Sequence, residues 1–251
     1  KIMDFFSSDL AQYFSQLDTL ESRLVGKGLR DPVLRAQFSQ ASNAIIARGE
    51  HAVAGLDKSM AKRIKEAFRE ALQPWVAGNP FVERCLKKPR GYAGDFAMMD
   101  IGYDNQPAMS GGLAGAFDQY FSDTYECVRQ RKEKVQEAIR PRLLDTASSR
   151  DPLRMMSLGS GPCREWVDLD REFRATGAKQ PAIRKVHLTC IDKDPEALAY
   201  SRARLADNGV LESVEYVETD LFHFTKADRW RSREQSYDLI YGVGIANYFY
   251  E

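Results

Sequence analysis

The sequence predicts an α/β chain: helices to about residue 150, then a parallel sheet wound with helices. Three observations predict it. Apolar residues recur at helical spacing through the first half. After residue 150, short apolar runs alternate with helical stretches. The first of those runs ends in a glycine-rich turn, LGSGPCRE, that opens a helix.

The elements follow in order. Phe6, Leu10, Tyr13, Phe14, Leu17, Leu20 and Leu24 fall on one helical face. Asp31-Pro32 reads as an N-cap with proline at the first helical position, and Leu34, Phe38, Ala41 and Ile45 continue that helix. Asp57 opens a third, with Met60, Ile64, Phe68 and Leu72 on one face and Pro74 ending or kinking it. The spacing predicts one long helix over 115–145, through Phe117, Phe121, Tyr125, Val128, Val135 and Ile139. Such stripes are core-facing. Between them lies KKPRGYAGDFAMMDIGYDNQPAMSGG, residues 87–112, which has no clean period and reads as a long loop. Loops of that length are often functional, and a plain surface connection is the other reading. Residues 1–150 thus form a helical domain and 151–251 a second domain.

In the second half, Arg154–Leu158 is the first strand and residues 163–175 a helix. Val186–Ile191 is the second strand, and the helix after it is closed by Gly209. Val214–Val217 and Tyr237–Val243 are the third and fourth strands. Alternation of this kind builds a parallel sheet with helices on both faces.

Composition narrows the function. The 36 Lys+Arg against 36 Asp+Glu leave no net charge, and so no global footprint for nucleic acid. No run of apolar residues is long enough to span a membrane. The start, KIMDFFSSDLAQYF, lacks the plan of a signal peptide. Cys85, Cys127, Cys163 and Cys190 are far apart in sequence, which suits reduced thiols in a cytoplasmic protein. His51, His187 and His223 are scattered as well, so no metal site is expected. A small-molecule partner is expected, with no nucleic acid and no membrane span; a homodimer is compatible with the sequence.

The chemistry gathers at the strand ends. Gly159 and Gly161 allow a tight turn after the first strand and let a ligand lie against backbone. The helix that follows aims its amides at the same place, favouring a carboxylate or phosphate. Asp192 stands after the second strand, where a carboxylate accepts from both ribose hydroxyls. Asp220 follows the third strand, where it faces an adenine ring. A dinucleotide fingerprint would need a third glycine where Arg164 stands, and no GxxxxGK[ST] phosphate loop occurs. Adenosine without phosphates remains.

LGSGPCRE, CIDKDPEALAYSRARL, VEYVETDLF and YDLIYGVGIANYF, in that order, resemble the successive motifs of class I S-adenosylmethionine-dependent methyltransferases. The resemblance covers about residues 150–251 and implies a Rossmann-like sheet with S-adenosyl-L-methionine as cofactor. It places Gly159, Ser160 and Gly161 on the methionine part, Asp192 on the ribose with Lys193 nearby, and Asp220 and Leu221 around the adenine. Gly244 would lie near the reacting centre. The stretch from Gly161 to Asp192 is longer than usual, which implies an insertion around 174–185. A full sheet of this class has seven strands, four are found, and the remainder is expected in sequence beyond residue 251.

KPRGYAGDF with a following tyrosine, Tyr103, and a helical pre-domain are similar to bacterial methyltransferases of 3-hydroxypalmitic acid methyl ester biosynthesis. Gly91 and Gly94 allow a tight turn that presents Tyr92, so Tyr92 and Asp95 are expected on a lid over the cofactor; the other reading packs Tyr92 against the sheet and makes Asp95 the cap of the next turn. Tyr103 is expected to face the acceptor, as are Asn247 and Tyr248, which follow the fourth strand. Asp95 and His223 are the candidate bases. Arg129 and Arg131 are within reach of the cofactor carboxylate. The family's GLFDYL-like run is GIANYF here, with Asn247 in place of the acidic residue. The implied activity is methyl transfer to a small molecule. One acceptor class is a fatty or other carboxylic acid, and another is a secondary metabolite methylated at N or O. A cofactor-binding interaction module without turnover and a nucleotide-dependent oxidoreductase are the competing functions.

Overall fold

The computed structural model describes residues 1–27, 31–92, 94–106, 111–146, 152–175, 186–207, 211, 213–221 and 237–245. These fall into two compact units. One comprises Lys1–Gly91 with Asn105–Thr124, the other Tyr92–Asp104 with Tyr125–Glu251.

The first unit is helical. A short α1 (Ile2–Asp4) passes through a π-helical turn, Phe5–Asp9, into α2 (Leu10–Lys27). α3 (Pro32–Val53), α4 (Lys58–Val76), α5 (Pro80–Lys87) and α7 (Gly112–Thr124) complete it. The capping residues behave as their chemistry requires. Asp31 Oδ1 accepts from the amides of Val33 at 2.9 Å and Leu34 at 3.3 Å, and Asp57 Oδ1 does the same for Ser59 and Met60 at 3.0 Å. Asn79 caps α5, with Pro80 at its first position. Pro74 does not end α4, which runs on to Val76. The apolar stripes meet in one core, where Leu17, Leu24, Leu34 and Phe38 are fully buried and the Phe38 and Phe117 rings pack edge to face.

The second unit is α/β. α6 (Phe96–Asp104) and α8 (Glu126–Thr146) precede β1 (Leu153–Leu158), α9 (Arg164–Ala175), β2 (Val186–Asp192), α10 (Pro195–Asp207), β3 (Ser213–Glu218) and β4 (Leu239–Tyr241). The four strands are all parallel, in the order β3-β2-β1-β4. This arrangement is compatible with a Rossmann-like fold. Register sets Ser157 between Cys190 and Tyr241, so the carboxyl ends of the strands lie along one edge. Ile139 and Leu143 of α8, Trp166 and Leu169 of α9, and Leu198 and Leu205 of α10 bury their faces with β1 and β2. Among the described residues, no helix is long and apolar enough to cross a membrane.

Two elements differ from the sequence expectation. The expected helix over 115–145 is two helices, α7 and α8, divided at Tyr125 and placed in different units. The expected loop 87–112 contains α6. Its buried positions are Met98, Asp100, Gly102 and Tyr103, and a face holding a carboxylate and a glycine has no apolar period to read.

Candidate functional site

A cavity of about 350 Å³ opens at the carboxyl ends of the strands in the second unit. In an open parallel sheet this is where ligands bind, at the point where strand order reverses, here between β1 and β4. The turn after β1 supplies Gly159, Ser160 and Gly161, and β2 ends in Asp192, followed by Lys193. Thr219, Asp220 and Leu221 come from the end of β3, and Val243, Gly244 and Ile245 from the end of β4.

Hydrogen bonds tie these strand ends together. The Ser160 amide donates to the Ile191 carbonyl at 2.9 Å, and the Thr219 amide to the Asp192 carbonyl at 3.0 Å. Asp192 is buried. Its Oδ2 accepts from the Gly161 amide at 2.9 Å and its Oδ1 from the Asp194 amide at 3.0 Å. Burial pushes its carboxyl up, and the Asp194 and Gly161 amides pull it back. Each carboxylate oxygen has a second lone pair, so this acceptor is held in place with capacity left for a ligand donor.

The glycines are required by geometry at two places. Gly159 has φ +60°, and a Cβ there would stand 2.7 Å from Ile245 Cδ1. Gly244 has φ +102°, and a Cβ there would stand 2.9 Å from Arg131 Nη1. A side chain at either position would be strained and would fill the cavity wall.

α6, the residues before it, and Tyr125 just ahead of α8 supply an aromatic wall of Tyr92, Phe96, Tyr103 and Tyr125. The Lys193 ammonium lies 5.0 Å from the Tyr92 ring centroid, and that of Lys132 lies 5.2 Å from the Tyr103 centroid. Gly102 lets Tyr125 in, since a Cβ there would overlap the ring. Gly102→Ala is expected to displace Tyr125 and lower stability by about 1–3 kcal/mol, the range for overpacking. Urea unfolding measures this, and an unchanged midpoint would refute the tight fit.

Most of the residues expected from the sequence line this cavity: Tyr92, Tyr103, Gly159, Ser160, Gly161, Asp192, Lys193, Asp220, Leu221 and Gly244. Asp95 does not fit the base role expected of it. It is 1% exposed, and its Oδ1 accepts from the Ala97 and Met98 amides at 3.1 and 2.9 Å, which makes it the N-cap of α6. Asn247, Tyr248 and His223 lie outside the described residues. Of the two arginines on α8, Arg129 is engaged by Glu126 Oε2 at 2.8 Å and the Gly102 carbonyl at 3.0 Å. Arg131 reaches the cavity instead, and its buried Nε has no hydrogen-bond partner among the described residues. Ser160 Oγ is likewise buried without one.

Glu165, in the first turn of α9, was missed by the sequence reading and also lines the cavity. Burial raises its carboxyl to about 7, with the Tyr241 hydroxyl bond opposing. That hydroxyl donates to Glu165 Oε1 at 2.8 Å and accepts from Trp166 Nε1 at 2.7 Å, which fixes the carboxyl in one orientation. A glutamate one residue into a helix gives no sequence signal of this, because the burial comes from β4 and α8.

No family model matches the chain, and no curated protein or solved structure matches it.

Proposed function

We propose that this protein is an S-adenosylmethionine-dependent methyltransferase acting on a small molecule. The observation that carries the reading is the convergence of the Gly159–Gly161 turn, Asp192 and Asp220 on one cavity, with the buried Asp192 carboxylate bonded to the Gly161 amide. In this reading Asp192 takes the ribose hydroxyls, Asp220 and Leu221 border the adenine, and the glycine turn runs beside the methionine chain. Two polar atoms of the cavity wall that are buried with no hydrogen-bond partner among the described residues, Arg131 Nε and Ser160 Oγ, fit a ligand that brings its own polar groups.

Charge favours this cofactor over a dinucleotide. The cavity is lined by three carboxyls, Glu165, Asp192 and Asp220, against two cations, Arg131 and Lys193. A pyrophosphate would face those carboxyls, whereas a cationic sulfonium suits them. The position of a third fingerprint glycine holds Arg164, which is buried among Asp100, Asp104 and Asp168.

Once bound, the cofactor supplies an electrophilic methyl group on sulfur. The chain supplies position and a dry environment. Tyr92, Phe96, Tyr103 and Tyr125 exclude water, and orientation of this kind removes up to about 7–11 kcal/mol of a bimolecular barrier. A carboxylic acid acceptor is already ionised at neutral pH and needs no base, which agrees with Asp95 being a helix cap. An N- or O-nucleophile of a secondary metabolite is the other acceptor class.

Titration calorimetry tests the reading, with S-adenosylmethionine and NAD in separate runs. Binding of the first alone, with about micromolar affinity, is expected. Binding of NAD alone, or of neither, would overturn it. Screening carboxylic acids for methyl-ester formation then identifies the acceptor.

A further inference from the structure

α4 carries two unlike faces. Phe68, Leu72 and Trp75 turn into the helical core, and Ile64 is buried. Lys58, Lys62, Lys65 and Arg69 recur at i, i+4, i+7 and i+11, which puts them in one sector of roughly 60° on the helix. All four are exposed. Glu66 and Glu70 fall outside that sector, and Arg63 adds a fifth cation to the same helix.

The stability of the helix does not explain this row. The amino end of a helix is the positive end of its dipole and favours anions. Beyond the Asp57 cap, α4 has no acidic residue in its first turn, and Lys58 stands at its first position. The neighbours do not neutralise the row either. Lys65 Nζ lies 3.1 Å from Glu50 Oε1 of α3, and Lys62 Nζ lies 3.9 Å from Glu66 Oε1. Exposed pairs of this kind contribute little. Lys58, Arg63 and Arg69 have no ion pair among the described residues. Like charges are thus held together at the surface against local preference.

Chemistry narrows the partner to an anion, and the surroundings narrow it further. A protein partner needs an apolar or aromatic anchor among the charges. Single-stranded nucleic acid needs aromatic faces for its bases. The aromatic residues of α4, Phe68 and Trp75, are spent in the core. A bilayer with anionic headgroups asks only for closely spaced cations on a face that can lie against it. We propose that the Lys58, Lys62, Lys65 and Arg69 face of α4 docks this protein onto an anionic lipid bilayer. The binding is peripheral and electrostatic, because the apolar face of α4 is already used in the core. It weakens as salt screens the charges. It does not rest on the cofactor reading, which calorimetry tests separately.

Co-sedimentation with vesicles tests the docking face. One set is phosphatidylcholine alone, and the other is an equal mixture of phosphatidylcholine and phosphatidylglycerol. The wild type is compared with Lys58→Gln/Lys62→Gln/Arg69→Gln. A control, Lys134→Gln/Arg142→Gln/Arg171→Gln, removes the same charge from exposed positions of α8 and α9. Substitutions at such surface positions are tolerated, and circular dichroism checks the fold of both. At low salt the wild type is expected to prefer the anionic vesicles by on the order of 100-fold. The α4 variant should lose most of that preference, and the control should keep it. A wild type without preference for the anionic vesicles, or equal losses in both variants, would overturn the docking face. Retention of a duplex oligonucleotide or of polyglutamate through the same residues, without vesicle binding, would overturn the bilayer in favour of that partner.

Discussion

Asp100→Ala is expected to destabilise the second unit by about 3 kcal/mol, the lower end for removing one partner of a buried ion pair. Asp100 lies on α6 and is buried. It accepts from Arg164 Nη1 at 3.0 Å, from the Tyr200 hydroxyl and from Arg204 Nη1. Arg164 also pairs with Asp104 and Asp168, and Asp168 with Lys132. These contacts fasten α6 to α9 and α10. Without Asp100, Arg164 keeps two carboxylates, which places the cost at the lower end, and Arg204 loses its ion pair with Asp100. Denaturant unfolding reads the effect as a shift in midpoint. Because α6 brings Phe96, Met99 and Tyr103 to the cavity, ligand affinity should fall in parallel. Asp100→Asn retains acceptors and should cost less. A midpoint for Asp100→Ala equal to that of the wild type would show that apolar packing alone holds α6.

Asp192→Ala is expected to weaken S-adenosylmethionine binding by about 3 kcal/mol, on the order of 100-fold. Two losses combine. The ribose hydroxyls lose a charged acceptor, and the Gly161 and Asp194 amides lose the carboxylate that holds the turn after β1 against the end of β2. Asp192→Asn retains one acceptor oxygen and should fall between the two. Calorimetry on all three proteins separates the contributions, and wild-type affinity in Asp192→Ala would overturn the placement of the ribose.

Sequence pattern exposed those features whose physics is local. The caps at Asp31 and Asp57 act within three residues of themselves. The glycine turn after β1 and the acidic residues ending β2 and following β3 are read from strand ends, and the structure brings them to one cavity. α6 was not legible, because its buried face contains Asp100 and Gly102. A carboxylate becomes an interior residue only when two arginines and a tyrosine converge on it, and those lie far away in sequence. For Asp95 the sequence offers both a base and a helix cap, since the two share one residue type, and the structure shows the cap.

Taken alone, the sequence determined the α/β class, the parallel strand alternation and the glycine and aspartate positions of the cleft, since each depends on spacing along the chain. Tertiary structure alone decided which charged side chains of the helices face the cavity. It turned Arg131 toward it and Arg129 toward the Gly102 carbonyl, and it buried Glu165 against Tyr241. The physical reason is that desolvation and pairing are properties of a three-dimensional neighbourhood. A charged residue's role is set by what packs around it, and in this chain those neighbours come from α6, α8 and β4.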